Sequence, residues 1–174
     1  MSEVAHEYRQ SVDRRSQRIL AIDPGPQRSA YVVLDRGVPQ RDISGIVENR
    51  ALLSWIRLWD FVTWCDIAAI EMIASYGMAV GREVFETCVW IGRLQAELDR
   101  RYTPSEYVYR RDVKLHLCGS ARAKDANVRQ ALLDRFGGKA LAVGTKKAPG
   151  PLYGFKADMW AALGVAITYA EAKG

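Results

Sequence analysis

The sequence predicts an α/β protein: a five-stranded mixed sheet, its first three strands antiparallel, with helices on both faces. Two observations carry this prediction. The chain opens with three short apolar runs separated by tight turns, and strand patterns then alternate with helical ones. The 174 residues, 49% of them hydrophobic, are enough for a single domain with its own core.

The first three strands are indicated by apolar runs that end at turn residues. The runs at 18–23 (RILAID) and 29–34 (SAYVVL) are separated only by a tight turn, so we expect these strands to pair antiparallel. A second turn at residues 36–39 leads to a third strand over residues 42–47. Together the three strands form a meander.

After residue 50 the spacing of apolar residues becomes helical, with two further strands in between. The run at 67–72 (IAAIEM) and the short run at 107–109 (YVY) complete the predicted sheet. The Gly-Gly pair at 137–138 ends one helix, and the Gly-, Pro- and Lys-rich stretch 139–153 predicts a loop. Helices are expected over residues 51–59, 80–101, 123–136 and 158–172.

Composition and motifs exclude several classes of protein. Residues 1–17 lack the apolar segment of a secretory signal and are expected to form a mobile polar arm before a domain over residues 18–174. No run of about 18 apolar residues is present, so we expect no membrane span. Three cysteines without a CxxC pair indicate reduced thiols in a cytoplasmic protein. Serine hydrolase and P-loop ATPase motifs are missing from the sequence.

The net charge of +5 is concentrated in one part of the chain. Between Tyr107 and Ala157 there are eleven Lys and Arg residues against three Asp, so the remainder of the chain is acidic on balance. Such a stretch indicates either a polyanionic partner or a solvated basic face. The charge pattern alone does not separate the two.

Three carboxylates occupy positions where a charged group is costly. Asp23 and Glu71 each end an apolar strand, and Asp158 begins an apolar helix. Asp23 could instead form a turn and Asp158 could cap its helix, whereas Glu71 has no such local role. Two strand ends and a helix start can meet at one edge of a sheet, where a divalent cation such as Mg²⁺ would relieve their repulsion and support phosphodiester hydrolysis.

Four blocks of this sequence follow one another in a specific order: AIDPG at 21–25, AIEMI at 69–73, VKLHLCGSARAKDANV at 113–128 and ADMWAALGVAIT at 157–168. Together they resemble the RuvC family of Holliday junction resolvases, and phage and prophage members most of all. The resemblance runs from residue 18 to residue 169. It implies an RNase H-like fold for the nuclease domain, in agreement with the order of elements that the apolar pattern predicts.

The resemblance also implies an activity, a cofactor and partners. RuvC enzymes are homodimers that bind a four-way DNA junction and nick two strands symmetrically with Mg²⁺ or Mn²⁺, so the chain resembles a crossover junction endodeoxyribonuclease of recombination and repair. Asp23, Glu71 and Asp158 match the metal-binding acids of the family. Lys114 matches a lysine near the scissile phosphate, with a catalytic role, and Lys124 matches one along the DNA; whether a helicase partner exists is left open.

Further candidate DNA contacts lie around these motifs. Arg122 stands beside Lys124 in the same block, and Tyr76 lies in the turn where the family places an aromatic residue against junction bases; a partly buried tyrosine is the alternative. A basic loop before the last helix is expected to hold phosphates or, failing that, to be solvated. Its lysines are Lys146, Lys147 and Lys156.

One position departs from the family pattern and leaves alternatives open. The family commonly has a second acid three residues before the equivalent of Asp158, where this chain has Phe155. The number of metal ions is therefore open. Two other hypotheses remain beside junction resolution: a relaxed nuclease that cuts flaps and forks during phage replication or packaging, and a junction-binding module that has lost catalysis.

Overall fold

The computed structural model describes residues 17–58, 65–75, 77 and 79–172, and within these ranges one mixed sheet of six strands forms the centre of the molecule. The order across the sheet is β3-β2-β1-β5-β6, and β4 also pairs with β2. The strands are β1 (Arg18–Pro24), β2 (Arg28–Asp35), β3 (Val38–Pro39), β4 (Gly45–Glu48), β5 (Ile67–Met72) and β6 (Ser105–Tyr109).

The sheet has an antiparallel half and a parallel half. β2 pairs antiparallel with β1, β3 and β4, whereas β1, β5 and β6 run parallel to one another. In the parallel half, Ile22 of β1 pairs with Ile70 of β5, and Glu71 pairs with Val108 of β6. The carboxyl ends of the three parallel strands therefore meet at one edge of the sheet.

Helices cover both faces of the sheet. α1 and α2 pack on one face, and α3, α4 and α6 pack on the other, with the short α5 beside α4. None of the described helices combines the length and the apolar content that a membrane crossing requires. The helices are α1 (Asn49–Leu58), α2 (Arg82–Arg100), α3 (Arg110–Cys118), α4 (Asp125–Arg135), α5 (Lys139–Ala142) and α6 (Met159–Glu171).

The alternation of side chains along β1 divides the core into two clusters. Ile19 and Ala21 join the cluster under α6, and Leu20 and Ile22 join the cluster under α1 and α2. All four are fully buried. By the same alternation, the next residue, Asp23, belongs to the face that α6 covers.

The turn between β1 and β2 depends on a glycine and on a buried amide. A Cβ on Gly25 would lie 2.6 Å from the backbone oxygen of Arg28, so the turn has room only for glycine. The buried Asn49 donates a hydrogen bond from Nδ2 to the Gly25 oxygen and accepts one from the Ser29 hydroxyl at 2.6 Å. The first residue of α1 thus holds the turn that follows Asp23.

The predicted α/β fold with its mixed sheet and antiparallel opening strands is confirmed, and the differences are local. The predicted third strand over residues 42–47 is observed as β4, which begins later because a 3₁₀ turn occupies Arg41–Ile43. The short β3 lies where the sequence predicted a turn, which gives six strands instead of five. α3 is absent from the predicted elements because only Val113 of its nine residues is buried, which leaves no apolar stripe to detect. The predicted arm over residues 1–17 lies, except for residue 17, outside the described residues.

The segment 139–158 is more ordered than the predicted loop. It begins with α5, and its backbone then folds back on that helix through hydrogen bonds from Gly150 N to the Val143 oxygen and from Leu152 N to the Ala142 oxygen. Gly144 and Pro149 form an isolated β-bridge across the turn. The basic residues of this segment are therefore carried on a defined backbone.

We predict that Gly150→Ala destabilises this segment. A Cβ at Gly150 would lie 2.1 Å from the Leu141 oxygen, and no flexible side chain can give way there. The free energy of unfolding should fall by about 1–3 kcal/mol, as for overpacked sites in general. Chemical denaturation measures the change, and Gly92→Ala is the matched control because a Cβ at Gly92, inside α2, meets open space. Equal stability of the two variants would contradict this close approach of the backbone.

Candidate active site at the ends of the parallel strands

Asp23 and Glu71 lie side by side because of the register of the sheet. Ile22 pairs with Ile70 in the parallel β1–β5 ladder, so the next residue of each strand is an acid, and both acids face the same side. They line a cleft of about 240 Å³ at the carboxyl ends of the strands, together with Met72, Ile73 and Arg110. Crevices at this end of parallel strands commonly hold the ligands of α/β proteins.

The two carboxyl groups share one hydrogen-bonded arrangement. Burial, the neighbouring Glu71 carboxylate and Asp158 raise the pKa of Asp23 to about 8. Burial also raises the pKa of Glu71, while Arg110 and the hydrogen bond with Asp23 act in the opposite direction. Near neutral pH, Asp23 therefore holds a proton and donates it in a hydrogen bond to the Glu71 carboxylate.

Arg110 also belongs to this site, but the sequence does not predict it as a site residue. It is only one of the eleven basic residues between Tyr107 and Ala157. Its Nη1 lies 3.7 Å from Glu71 Oε2, and its Nη2 donates a 2.7 Å hydrogen bond to Asp125 Oδ1. That hydrogen bond lowers the pKa of Asp125. The available signal is positional: Arg110 directly follows β6, whose carboxyl end lies at the same edge as those of β1 and β5.

Asp158 lies close to the pair but does not complete a three-carboxylate cluster. It is exposed at the start of α6, makes no capping hydrogen bond, and acts on Asp23 through its charge. Within the described residues, no three His, Cys, Asp or Glu side chains converge closely enough to hold one metal ion. The predicted convergence is thus observed for Asp23 and Glu71 and only approached by Asp158.

Phe155 belongs to the core and not to the cleft. It is buried in the cluster under α6, with its ring 5.8 Å from the Trp160 ring in an edge-to-face arrangement. Between it and Asp158, Ala157 has φ 41°, a left-handed conformation that is unfavourable for alanine. The chain thus places two residues only three apart in different environments, one in the core and one at the surface.

The residues of the cleft suit a divalent cation in their chemistry. The Glu71 side chain is only 12% exposed, and its Oε2 atom is buried without a hydrogen-bond partner among the described residues. A buried carboxylate oxygen without a donor is energetically costly, and oxygen ligands of this kind are what Mg²⁺ and Mn²⁺ bind. Asp23 and Glu71 supply such oxygens directly, and Asp158 adds a third negative charge nearby.

Of the predicted DNA contacts in the third sequence block, Lys114 is the one whose charge acts on the cleft. Lys114 Nζ lies 3.9 Å from Asp125 Oδ1, and its charge opposes the rise that burial causes in the pKa of Glu71, so Lys114 reaches the site. Lys124 precedes α4, where its backbone N–H donates to Asn127 Oδ1 at 2.9 Å, and its side chain is exposed. Arg122 lines a separate depression near the end of α3.

The predicted basic loop lines a groove of about 530 Å³. Lys146, Lys156 and Arg41 line it, as does Met159, the residue after Asp158. Lys147 is exposed but does not line this groove. Tyr76 lies outside the described residues, so its predicted contact with bases stays a prediction.

Comparison with known proteins identifies the fold. A scan against protein-family models and a search of the curated proteins give no match. Among solved structures, RuvC of Thermus thermophilus is similar at 16% identity with a TM-score of 0.60, covering 87% of this chain and 92% of that one. RuvC of the same organism in complex with a Holliday junction substrate gives a TM-score of 0.64 at the same identity and coverage.

A second solved resolvase has the same architecture. Ydc2, the yeast mitochondrial Holliday junction resolvase, gives a TM-score of 0.53 at 13% identity, covering 97% of this chain and 86% of that one. The chain therefore has the RuvC-like form of the RNase H-like fold, as the four sequence blocks predicted. At these identities the likeness concerns the fold.

We predict that Asp23→Asn stabilises the protein at high pH when divalent cations are removed by EDTA. Because the pKa of Asp23 is about 8 in the folded protein and near 3.8 when unfolded, its contribution to stability is complete below pH 4 and is lost as the pH rises through 8. Asn mimics the protonated acid, so the variant should gain roughly 1–3 kcal/mol over the parent between pH 5 and pH 9.

The measurement is chemical denaturation at several pH values, with the exposed Asp99→Asn as control. The control should follow the parent at every pH, because Asp99 is exposed at the end of α2. If the free energy of unfolding changed with pH in the same way in the parent and in Asp23→Asn, the carboxyl pair would not share a proton.

Proposed function

We propose that this protein is a metal-dependent DNA endonuclease that resolves four-way junctions by paired symmetric nicks, in the cytoplasm of a bacterial cell and encoded by a phage or prophage. The observation that carries the proposal is the carboxyl pair Asp23–Glu71, buried at the strand ends of a fold shared with a RuvC that was solved on a Holliday junction. Carboxyl groups in a cleft whose pKa is strongly raised by burial and by a neighbouring charge are common at catalytic sites.

The proposed mechanism assigns a separate task to each residue of the site. Asp23 and Glu71 would hold Mg²⁺, for which Mn²⁺ could substitute, and Asp158 adds negative charge to the site. The metal would supply an activated water and neutralise charge on the leaving oxygen. Because Asp23 would have to lose its proton to act as a ligand, metal affinity should increase as the pH rises toward 8. Lys114 stabilises the negative charge of the phosphate, and hydrolysis leaves a 5′-phosphate and a 3′-hydroxyl.

The groove beside α6 is proposed to hold a DNA arm. Its three cations, Arg41, Lys146 and Lys156, come from two segments of the chain, and one acid, Asp42, lines it with them. Cations arranged along an open groove bind a phosphate backbone without reading its sequence. Lys124, Arg122, Lys147 and Tyr76 are proposed as further contacts along the branched substrate.

A homodimer would place two such sites on one junction, as paired nicks require. The exposed side of α2 offers a surface for it: Phe85 and Val89 lie one turn apart and are 62% and 52% exposed. Large apolar side chains repeated on one exposed helix face are typical of interaction surfaces. We therefore propose the first half of α2, with Phe85 and Val89, as the dimer contact; Asp99 lies at the other end of the helix.

Two other functions share the same fold and acids. A relaxed nuclease of phage replication or packaging would cut flaps and forks as readily as junctions, and an inactive module would bind junctions without cutting them. No contact among the described residues of the cleft favours either. The orphaned oxygen of Glu71 supports a working metal site instead of a decayed one.

We predict cleavage of a synthetic four-way junction with end-labelled arms in Mg²⁺. The parent protein should make two symmetric nicks at the junction and leave linear duplex intact, whereas Asp23→Asn should cleave at least about a hundredfold more slowly because a metal ligand is removed. Asp99→Asn should behave like the parent. Equal cutting of a flap would favour the relaxed nuclease, and tight binding without cleavage in Mg²⁺ or Mn²⁺ would exclude the enzyme.

A second prediction tests the groove. The double substitution Lys146→Gln with Lys156→Gln should weaken junction binding and reduce the slope of log K against log salt by about 0.9 for each phosphate that is no longer neutralised. Electrophoretic mobility shifts at several salt concentrations measure the slope. Lys139→Gln is the matched control, since Lys139 is exposed on α5 outside the groove. An unchanged slope in the double variant would place the DNA elsewhere.

A further inference from the structure

Arg110 lies within the acidic cleft and faces two different acids. Its guanidinium approaches Glu71 Oε2 at 3.7 Å with Nη1 and donates a 2.7 Å hydrogen bond to Asp125 Oδ1 with Nη2. Both Glu71 Oε2 and Arg110 Nη1 are buried without a hydrogen-bond partner among the described residues. The contact with Glu71 is thus one of charge, too long for a hydrogen bond, whereas the contact with Asp125 is a full hydrogen bond.

The two acids that Arg110 faces differ strongly in their environment. The Glu71 side chain is 12% exposed, and that of Asp125 is 75% exposed. A guanidinium between a buried and an exposed carboxylate can shift toward either one with little movement of the backbone. Arg111, the next residue, is exposed and has no ion pair in the described part of the chain, so it provides an internal comparison of equal charge.

A divalent cation at Glu71 would meet the charge of Arg110 at the same oxygen. Two positive groups a few ångströms apart in a partly buried cleft repel each other strongly. When a metal binds at Glu71, the positive charge of Arg110 therefore needs another carboxylate as its partner. Asp125 is in place for this, because it already accepts a hydrogen bond from Arg110 Nη2. Lys114, 3.9 Å from Asp125, belongs to the same set of charges.

We propose that Arg110 is an internal counter-ion of this site. It compensates the charge of Glu71 until a divalent cation binds there, and it then pairs with Asp125 alone. This inference rests on the proposed metal site. Arg110 is a positioning residue in this arrangement, because it acts on the metal through Glu71. Asp125 acts in turn through Arg110, by holding the guanidinium away from the buried oxygen.

The two residues are therefore expected to change metal affinity in opposite directions. In calorimetric titration of the DNA-free protein with MnCl₂ at pH 8, Arg110→Gln should bind Mn²⁺ about tenfold more tightly and Asp125→Asn should bind it several-fold more weakly. Arg111→Gln should change the affinity by less than about twofold, because its charge is solvent-screened. In the Arg110→Gln background, Asp125→Asn should lose most of its effect.

A stability measurement separates this role from an ordinary structural ion pair. In EDTA, Arg110→Gln should lower the thermal midpoint because Glu71 loses its compensating cation, and saturating Mn²⁺ should restore the midpoint to that of the parent in Mn²⁺. A structural ion pair would instead lower both midpoints equally. Arg110→Lys, which keeps the charge but not the two-nitrogen fork, should bind Mn²⁺ with an affinity between those of the parent and Arg110→Gln.

Three results would overturn the inference. They are an unchanged or weaker Mn²⁺ affinity in Arg110→Gln, an equal loss of stability with and without Mn²⁺, and a full effect of Asp125→Asn in the absence of Arg110. Junction cleavage by the parent in the same preparations tests the proposed function separately. A parent that cleaves junctions while Arg110→Gln leaves Mn²⁺ affinity unchanged would keep the function and reject the counter-ion.

Discussion

Two carboxyl groups are buried at the ends of neighbouring parallel strands, and the charged groups around them reduce the free-energy cost of that burial. β1 and β5 are apolar along their length, and their register brings Asp23 and Glu71 together in a place with little water. Two ionised acids there would repel each other and lose their hydration. A shared proton, the guanidinium of Arg110 and the ammonium of Lys114 each reduce that cost.

The helices contribute to the same balance through their starting points. α3 begins at Arg110, directly after β6, and α6 begins just after Asp158, whose charge acts on Asp23. Helix N-termini carry partial positive charge, which favours anions beside them. The N-termini of α3 and α6 thus place partial positive charge near the edge of the sheet where the parallel strands end. The antiparallel half, with the turn held by Asn49, fixes the position of Asp23.

Sequence reasoning can identify the features that depend on local pattern. Apolar runs locate β1, β2 and β5, and an acid at the end of two of these runs is visible because charge is rare there. Arg110 cannot be identified in this way, because its role depends on β6 lying beside β5 and sequence separation hides that contact. The same holds for α3: with Val113 as its only buried residue, it is defined by packing on α6 and not by periodicity.

Phe155 shows how one position can serve either packing or charge, but not both. In this chain it fills the core under α6 against Trp160, so an acid there would be buried among apolar side chains without a partner. Asp125 lies instead at the start of α4, where solvent exposure lowers the free-energy cost of its ionisation and Arg110 links it to Glu71. It thus adds negative charge near the cleft from a different element of the fold.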